Sequence, residues 1–378
     1  MRDYINIYKV SATLLMLLSA AVMFVACSED SDSVERDTDM LQLVPYTSEM
    51  VESSPATTRA VSLPTGYTEY IGPNSIGVYT TTADEAPEKI RTFLYINNAW
   101  NSQVSVTNST QYYIYGYMPV NDNIKCTISQ RDTENDFSKG AVLSFNDPAH
   151  LLPPVMAEDF SVITGVLQVS SANPTESVNL TSGKFSYKGK ASGSNYVCLM
   201  LDHLYSCVRF NFQVDDNYSK LRTIVLKEVQ LKTENTLAYP LTVTMKADEA
   251  HTVTWGTGTS FTTDFVKLFP RVNESEVQLP TVSNTDESKL VKVDGYFAPV
   301  ADVANSLILD CKYDVYDKKV TQDRPYGNLV RQNCEATNKL PNLVAGLNQR
   351  TTLTLTVNPT YLYVLSDPDL DNPTVVVN

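Results

Sequence analysis

Histidine is scarce in this chain of 378 residues, which has three copies, His150, His203 and His251. They lie far apart and show neither HExxH nor any other metal-ligand spacing. The GxSxG, P-loop and GxGxxG motifs of hydrolases, nucleotide-binding and dinucleotide-binding proteins are also missing. A structural hydrogen bond is the expected role of His203. The sequence therefore predicts no catalytic residue, no metal site and no cofactor, and the chain is not expected to be an enzyme.

Carboxylates late in the chain occur in segments with the character of turns. Asp314, Asp317 and the acidic segment 366–371 are more typical of turns than of a paired general acid and base. A weak calcium contact in segment 366–371 is the alternative.

Cysteine is also sparse, with six residues in the chain. Cys27 lies near the N-terminus, and the other five are Cys126, Cys198, Cys207, Cys311 and Cys334. An odd number without CxxC spacing predicts neither a disulfide framework nor a zinc site. A single bridge between Cys311 and Cys334 is left open.

Basic residues are few and form no cluster. The chain has 29 Lys and Arg against 43 Asp and Glu, which gives a formal net charge of -14. Phosphate binding needs clustered positive charge, so nucleic acid is excluded as a partner. An acidic surface instead favours solubility and mutual repulsion between molecules at a cell surface.

The first 27 residues have the layout of a bacterial lipoprotein signal. Arg2 and Lys9 precede the apolar run 14–25, which is too short to span a bilayer, and Ala26 precedes Cys27. The position three before Cys27 is Phe24, where leucine is usual. We expect a signal peptide over 1–26, cleavage before Cys27 and lipidation of its thiol, with an uncleaved anchor as the alternative. The acidic cluster 28–32 resembles a surface-export tag.

A second processing site is predicted at Arg59. Residues 55–60 are small and polar, and such flexible stretches are where proteases cut most easily. We expect cleavage between Arg59 and Ala60, which makes 27–59 an acidic propeptide. The alternative is that Arg59 is only a solvated residue. An apolar island at 41–46 interrupts this propeptide and predicts a short strand.

From residue 60 onward the chain has the pattern of an all-β protein. Short aromatic and β-branched runs alternate with Gly, Asn, Asp, Ser and Pro, which predicts antiparallel β-sandwiches. One short helical turn is predicted within 298–305. The Gly- and Ser-rich stretch 188–195 has no apolar anchor and predicts a domain boundary. We therefore expect two tandem sandwiches, at 60–193 and 194–378.

Several motifs together resemble the fimbrillin family, the subunits of type V pili. The resemblance runs over most of the chain. It is carried by Cys27, by Arg59 with Ala60, and by the segments 76–79, 98–100, 115–119, 201–210, 346–348, 351–357 and 359–365. It implies two sandwiches of transthyretin-like, Greek-key type.

The resemblance also implies a mechanism. Leu41, Leu43 and Val44 would belong to a plug strand that fills a groove until cleavage after Arg59 removes it. A tail at 359–378 would then supply a donor strand to a neighbour, through Tyr361, Tyr363 and Leu365. These three residues are odd-numbered, as are the apolar residues of 353–357. In an extended strand, side chains at every second position lie on the same face, so one face stays apolar through the tail. The alternative is that 361–365 is the last strand of its own domain.

The expected function is that of a structural shaft or tip subunit of a cell-surface fimbria that supports adhesion. Its expected partners are other fimbrial subunits, in a homo- or hetero-polymer, with outer-membrane lipid in the precursor and a host or bacterial surface ligand. An anchor role is less expected, because an anchor does not need the cut at Arg59. The rivals are a monomeric surface lipoprotein that binds glycans and a secreted β-sandwich hydrolase.

Overall fold

A computed structural model of the chain describes residues 38–52, 67–69, 75–81, 91–96, 99–101, 105–107, 110–130, 136–169, 186–188, 196–247, 249–286, 289–340, 343–357 and 374–377. These residues are organised mainly in strands, so the predicted all-β class is confirmed. Asp39–Asn378 form one compact unit.

The first half of the chain contributes fourteen strands within the described ranges. In chain order they are β1 (Thr38–Met40), β2 (Gln42–Ser48), β3 (Val51–Glu52), β4 (Tyr67–Glu69), β5 (Ser75–Thr81), β6 (Arg91–Ile96), β7 (Ala99–Asn101), β8 (Ser105–Thr107), β9 (Gln111–Met118), β10 (Thr127–Gln130), β11 (Ala141–Phe145), β12 (Val155–Met156), β13 (Ser161–Val169) and β14 (Ser186–Lys188). A 3₁₀ helix covers Phe137–Lys139.

The second half has the same character. Its described strands are β15 (Tyr196–His203), β16 (Ser206–Val214), β17 (Thr223–Thr233), β18 (Leu237–Ala238), β19 (Leu241–Thr244), β20 (Thr252–Trp255), β21 (Thr259–Ser260), β22 (Val266–Phe269), β23 (Val277–Gln278), β24 (Val291–Phe297), β25 (Leu307–Tyr316), β26 (Leu329–Lys339), β27 (Gln349–Val357) and β28 (Thr374–Val377). The helices α1 (Asp216–Ser219) and α2 (Ala301–Ala304) are one turn long. The helical turn predicted within 298–305 is thus present as α2.

A nine-stranded sheet holds the N-terminal part of the described chain. Its strand order is β4-β2-β15-β13-β9-β5-β6-β7, and β14 pairs with β9. The other large sheets have the orders β12-β24-β16-β27-β28, β22-β17-β25-β26 and β10-β11-β19-β20. The first strand after the predicted boundary at 193, β15, pairs with β13 before it. The two-domain division at that position stays a prediction.

Most described pairings are antiparallel, as predicted, but three are parallel. They join β2 to β15, β16 to β27, and β3 to β27. A parallel pair needs a long crossover connection, because the chain must return to the same end of the sheet before it runs alongside. Local alternation gives no sign of strand direction, which is why the sequence predicted antiparallel sandwiches.

Apolar residues are buried on both faces of the nine-stranded sheet. On β9, Ile114 and Met118 lie on one face, and Tyr115 and Tyr117 lie on the other. The Tyr117 ring packs edge-on against Phe145, at 5.0 Å between ring centroids. The tyrosine face belongs to the large core that the other sheets share.

The opposite face encloses a smaller core, which we name the inner cluster. Its members are Leu41, Leu43, Ile76, Val78, Ile114, Met118, Ile163, Val166, Val197, Leu199 and Leu201. Strand β7, at one end of the sheet order, lies close to β2 near the other end, so the sheet curls around this cluster. The inner cluster is therefore completed by two residues that precede the predicted cut at Arg59.

The described cysteines occupy the interior more than the surface. Cys198 and Cys207 are buried, in agreement with their apolar surroundings in the sequence. Cys311 and Cys334 lie on the neighbouring strands β25 and β26, and no disulfide joins these two described residues.

Candidate functional site

Strand β2 lies in a slot between two strands of the body. On one side it runs parallel to β15, in a register that pairs Gln42 with Tyr196 and Thr47 with Leu201. On the other side it runs antiparallel to β4, with Tyr46 opposite Glu69. One backbone edge of β2 is thus paired over residues 42–47, and the other is paired over residues 46–48 at the end of the strand. We name residues 39–52, which include β2 and β3, the leader segment.

The leader segment contributes apolar side chains to the inner cluster. Leu41 is 0% exposed and Leu43 is 4% exposed, and both contact the cluster. Val44, the third predicted plug residue, is also buried but is not a member of the inner cluster. Full burial of a leucine stabilises by about 1.5–3 kcal/mol relative to exposure, so these contacts supply much of the leader's affinity for the body.

At the end of β2, the backbone is held by a buried histidine of the body. The Nε2 atom of His203 lies 2.6 Å from the carbonyl oxygen of Ser48. Its Nδ1 atom lies 2.6 Å from Oδ2 of Asp159, and the hydroxyl of Ser161 donates to the same carboxylate oxygen. All four residues are buried. The sequence analysis gave His203 a structural hydrogen bond, and its two partners here are far away in the chain.

The hydrogen-bond partners define the protonation state of His203. Neutral imidazole has one N–H donor, whereas both nitrogens of His203 face an acceptor oxygen. The imidazolium form satisfies both contacts. Burial acts to lower the pKa of His203, but the charge of Asp159 and the hydrogen bonds to Asp159 and Ser48 outweigh burial, so that the pKa is raised.

The leader segment continues onto a second sheet through β3. The amide of Val51 donates to the carbonyl of Asn348 at 2.9 Å, and β3 runs parallel to the start of β27. The Glu52 carboxylate accepts from Arg350 Nε at 2.6 Å and from the hydroxyl of Thr352. The Glu52 side chain is 48% exposed, and ion pairs at that exposure contribute little. Burial of Leu41 and Leu43 is therefore the larger contribution.

The outer edge of β27 is shared by two segments. Strand β3 occupies its start, and β28 pairs antiparallel with residues 353–356 further along. The C-terminal strand of the chain thus lies on β27 of the same molecule. The predicted donor residues Tyr361, Tyr363 and Leu365 fall outside the described residues, as do Cys27, Arg59 and Ala60.

One cleft that the structure describes has a volume of about 1050 Å³ and is open to solvent. Of the carboxylates that line it, Asp294 accepts two hydrogen bonds of 2.7 Å from Arg209, and Glu274 accepts from the backbone of Arg271. Both are engaged by other protein groups. Within the described ranges, no cluster of three potential metal ligands is found, and no helix has the length and apolar character that a bilayer span requires.

Comparison with known proteins finds similar solved structures at low sequence identity. No protein-family model and no curated protein matches the chain. Solved structures that are similar include a candidate cell adhesion protein from Bacteroides fragilis (9% identity, 90% of this chain, 98% of the other, TM-score 0.40). A fimbrial protein from Bacteroides vulgatus has 13% identity over 81% and 92% of the two chains, with a TM-score of 0.33. A fimbrial anchor protein from Porphyromonas gingivalis has 10% identity over 89% and 95%, with a TM-score of 0.26.

These structural neighbours are fimbrial and cell adhesion proteins. At identities of 9–13% and TM-scores of 0.40 or below, they assign no role to this chain. What the chain itself does has to be derived from its own contacts, of which those of the leader segment are the most informative.

Most of the residues that hold the leader segment have no signal in the sequence. Asp159 and Arg350 carry no local motif. Arg350 and Asn348 contact the leader across about 300 positions of the chain, and Asp159 acts on it through His203. The feature of the sequence that did point to the leader segment is the strand character of residues 41–46. A structural hydrogen bond was also expected for His203, the last residue of β15, but its partners were not.

Proposed function

We propose that this chain is a structural subunit of a cell-surface fimbria, in the shaft or at the tip, assembled by exchange of the leader segment for a strand of another subunit. The observation that supports the proposal is the position of Leu41 and Leu43 in the inner cluster, upstream of the Arg59 site. A segment that a single cut can separate from the body completes the core of that body.

Removal of the leader segment would leave a slot with strong affinity for another strand. Strand β4 would lose its partner, β15 would lose its partner on one edge, and the inner cluster would lose two leucine side chains. Unpaired strand edges beside exposed apolar groups are sites of strand addition. A strand from a second subunit would regain both the backbone pairing and the apolar contacts.

The predicted cut falls in the connection between β3 and β4. Arg59 follows Glu52, where β3 ends, and precedes Tyr67, where β4 begins. After the cut, β4 stays with the body, whereas β2 and β3 are held only by non-covalent contacts. The cut would thus convert the leader segment from a part of the fold into a bound peptide that can dissociate.

The proposed donor is the tail at 359–378 of another subunit, through Tyr361, Tyr363 and Leu365. The tail already contains one strand, β28, which pairs with β27 in its own molecule. The rest of the proposal follows the sequence: lipidation at Cys27, export to the outer membrane, and two sandwich domains at 60–193 and 194–378. Adhesion to a host or bacterial surface ligand would be a property of the assembled fibre.

Substitution of Arg59 with alanine tests the proposal directly. We expect Arg59→Ala protein to be exported and folded but to remain monomeric, because the leader segment stays covalently attached and keeps its slot. SDS-resistant ladders on gels of surface protein, together with N-terminal sequencing, measure assembly and cleavage. Arg36→Ala is the matched control, because it lies in the same propeptide ahead of the leader segment, and it should assemble normally. Normal polymers of Arg59→Ala protein that still contain residues 39–52 would disprove the exchange.

Lipidation is tested at Cys27. Stable anchoring of a protein by acyl chains takes more than one chain, each buried methylene contributing about 0.8 kcal/mol. A Cys27→Ser precursor lacks the thiol that carries the lipid, so we expect an unlipidated chain that does not reach the surface. Surface protease accessibility and mass spectrometry measure the two properties, with Cys126→Ser as the control. Normal surface display of Cys27→Ser protein would contradict the lipoprotein assignment.

One observation favours the glycan-binding alternative. Tyr316 and Tyr326 lie with ring centroids 5.6 Å apart in an open cleft of about 550 Å³, together with the charged residues Glu276, Asp323 and Arg324. Aromatic rings beside polar groups are suited to bind a sugar. A monomeric glycan-binding lipoprotein would keep an intact, lipidated N-terminus at Cys27, whereas a fimbrial subunit would begin at Ala60. N-terminal sequencing of surface protein separates the two.

A further inference from the structure

The His203 side chain belongs to the body, although it holds the leader. His203 is the last residue of β15, and its partner Asp159 lies two residues before the start of β13, so both stay with the body after a cut at Arg59. Only the Ser48 carbonyl belongs to the leader segment. The N–H group of His203 therefore stays in the slot after the cut, whereas the carbonyl oxygen that accepts from it belongs to the strand that fills the slot.

From this geometry we infer that His203 is an anchor for a backbone carbonyl, which sets the register of the strand that occupies the slot between β15 and β4. The inference rests on the proposed strand exchange and names its recognition element. The ligand is an extended peptide with alternating apolar side chains that places one carbonyl oxygen within hydrogen-bond distance of His203 Nε2. In the uncleaved chain that carbonyl is the one of Ser48.

The register follows from strand geometry. Successive carbonyls of a strand point to opposite sides, and successive side chains point to opposite faces. A shift by one residue would turn the carbonyl away from His203 and move the apolar side chains out of the inner cluster. A buried N–H of a charged ring that loses its acceptor is costly, so misaligned strands are disfavoured. His203 and the inner cluster thus select the same register.

The anchor also makes occupation of the slot dependent on pH. The imidazolium donates to the strand, and its pKa is raised in the occupied slot. Asp159 stays with the body, so only the part of the rise that comes from the Ser48 hydrogen bond depends on the strand. That hydrogen bond favours binding while His203 is charged, and this contribution is lost as the pH rises through the raised pKa of His203. Burial and neighbouring carboxylates raise the pKa values of Tyr296 and Cys207, whose groups lie near Asp159, so both stay neutral in this range.

Asp202 and His251 form the other ionisable pair near this end of β15. Their charged atoms lie 3.9 Å apart, and Asp202 also acts on His203. Because His251 is the other histidine near this end of β15, it is the residue that the experiment must separate from His203.

The first measurement uses the intact chain with ¹⁵N-labelled histidine. We expect the ring nitrogens of one histidine, identified by its absence in His203→Gln protein, to be both protonated at pH 6. A single protonated nitrogen on His203 at pH 6 would overturn the inference and would leave the proposed strand exchange unaffected.

The second measurement uses the full chain nicked between residues 53 and 66 by limited proteolysis, followed by gel filtration over time. We expect release of the leader segment to be about tenfold or more faster at pH 8.5 than at pH 6, the effect expected for a hydrogen bond to a charged group. His251→Gln should keep this ratio. Loss of the ratio in His251→Gln protein would overturn the role of His203.

A double variant that removes the buried charges of both His203 and Asp159 controls for misfolding. His203→Gln alone would leave Asp159 buried without its partner, so it is combined with Asp159→Asn. The double variant should release the leader at one rate at both values of pH. A double variant that retains the tenfold ratio would overturn the anchor.

Register is tested by deletions within the leader segment. Deletion of Thr47 moves the Ser48 carbonyl away from His203, so we expect fast release at pH 6 with little further gain at pH 8.5. Deletion of Met50, beyond the anchored carbonyl, is the control and should keep the pH dependence. An unchanged pH dependence after deletion of Thr47 would overturn the register role. A leader that stays bound under every condition would count against strand exchange itself, while the ¹⁵N measurement still decides the state of His203.

Discussion

Combined substitution of Leu41 and Leu43 with alanine should lower the free energy of unfolding of the uncleaved chain by about 4–8 kcal/mol. A buried leucine replaced by alanine costs about 2–5 kcal/mol, from lost transfer energy and from the cavity that remains. The two residues share one cluster, so their effects need not add, and the range allows for that. Equilibrium unfolding in urea measures the change.

The matched control lies on the same strand. Gln42 is exposed between the two leucines, so Gln42→Ala should change the free energy of unfolding by less than about 0.5 kcal/mol. The double leucine variant should also release its leader faster after nicking. A change below about 1 kcal/mol in the double variant would show that the leader segment is not a component of the inner core.

Deletion of residues 359–378 should abolish assembly, because it removes the proposed donor residues Tyr361, Tyr363 and Leu365. Main-chain pairing along a donated strand adds to the burial of its apolar side chains, each worth about 1.5–3 kcal/mol. The deleted chain should remain a folded monomer. Native gels and SDS-resistant ladders report assembly, and thermal melts report folding.

A shorter deletion separates the two parts of the tail. Removal of 374–378 alone eliminates β28 and its pairing with β27 but keeps Tyr361, Tyr363 and Leu365. We expect this chain to assemble and to melt at about the same temperature as the longer deletion, since both lack β28. Tyr363→Asp in the full-length chain should block assembly, because it puts an unpaired charge in an apolar slot. Ladders from the 359–378 deletion would rule out this tail as donor.

If 361–365 is instead the last strand of its own domain, the 359–378 deletion destabilises the monomer first and abolishes assembly only as a consequence. The longer deletion would then lower the melting temperature well below that of the shorter one, and loss of assembly would follow from unfolding. A melting temperature shared by both deletions, with assembly lost in one, separates the donor role from this alternative.

Strand content could be read from the sequence because it is a local property. β-Branched and aromatic residues between turn formers predicted the all-β class, and the alternation in 41–46 predicted the strand that is now β2. The helical turn in 298–305 was also visible, as α2. Motifs near Cys27 and Arg59 predicted processing from local sequence in the same way, and these remain predictions.

Partner choice could not be read from the sequence because it is a property of distant segments. Strand β2 pairs with β15 in parallel, and His203 reaches Ser48 across 155 positions and Asp159 across 44. Strand alternation fixes which side chains share a face but not which strand lies alongside or in which direction. The strand that pairs with β2, and its direction, are set by the burial of Leu41 and Leu43 in the inner cluster and by the contact of the His203 imidazolium with Asp159 and Ser48. The sequence by itself determined a strand ahead of a predicted cleavage site. The tertiary structure decided that this strand completes the core of the body, because only the folded body provides the slot between β15 and β4 and the His203 side chain.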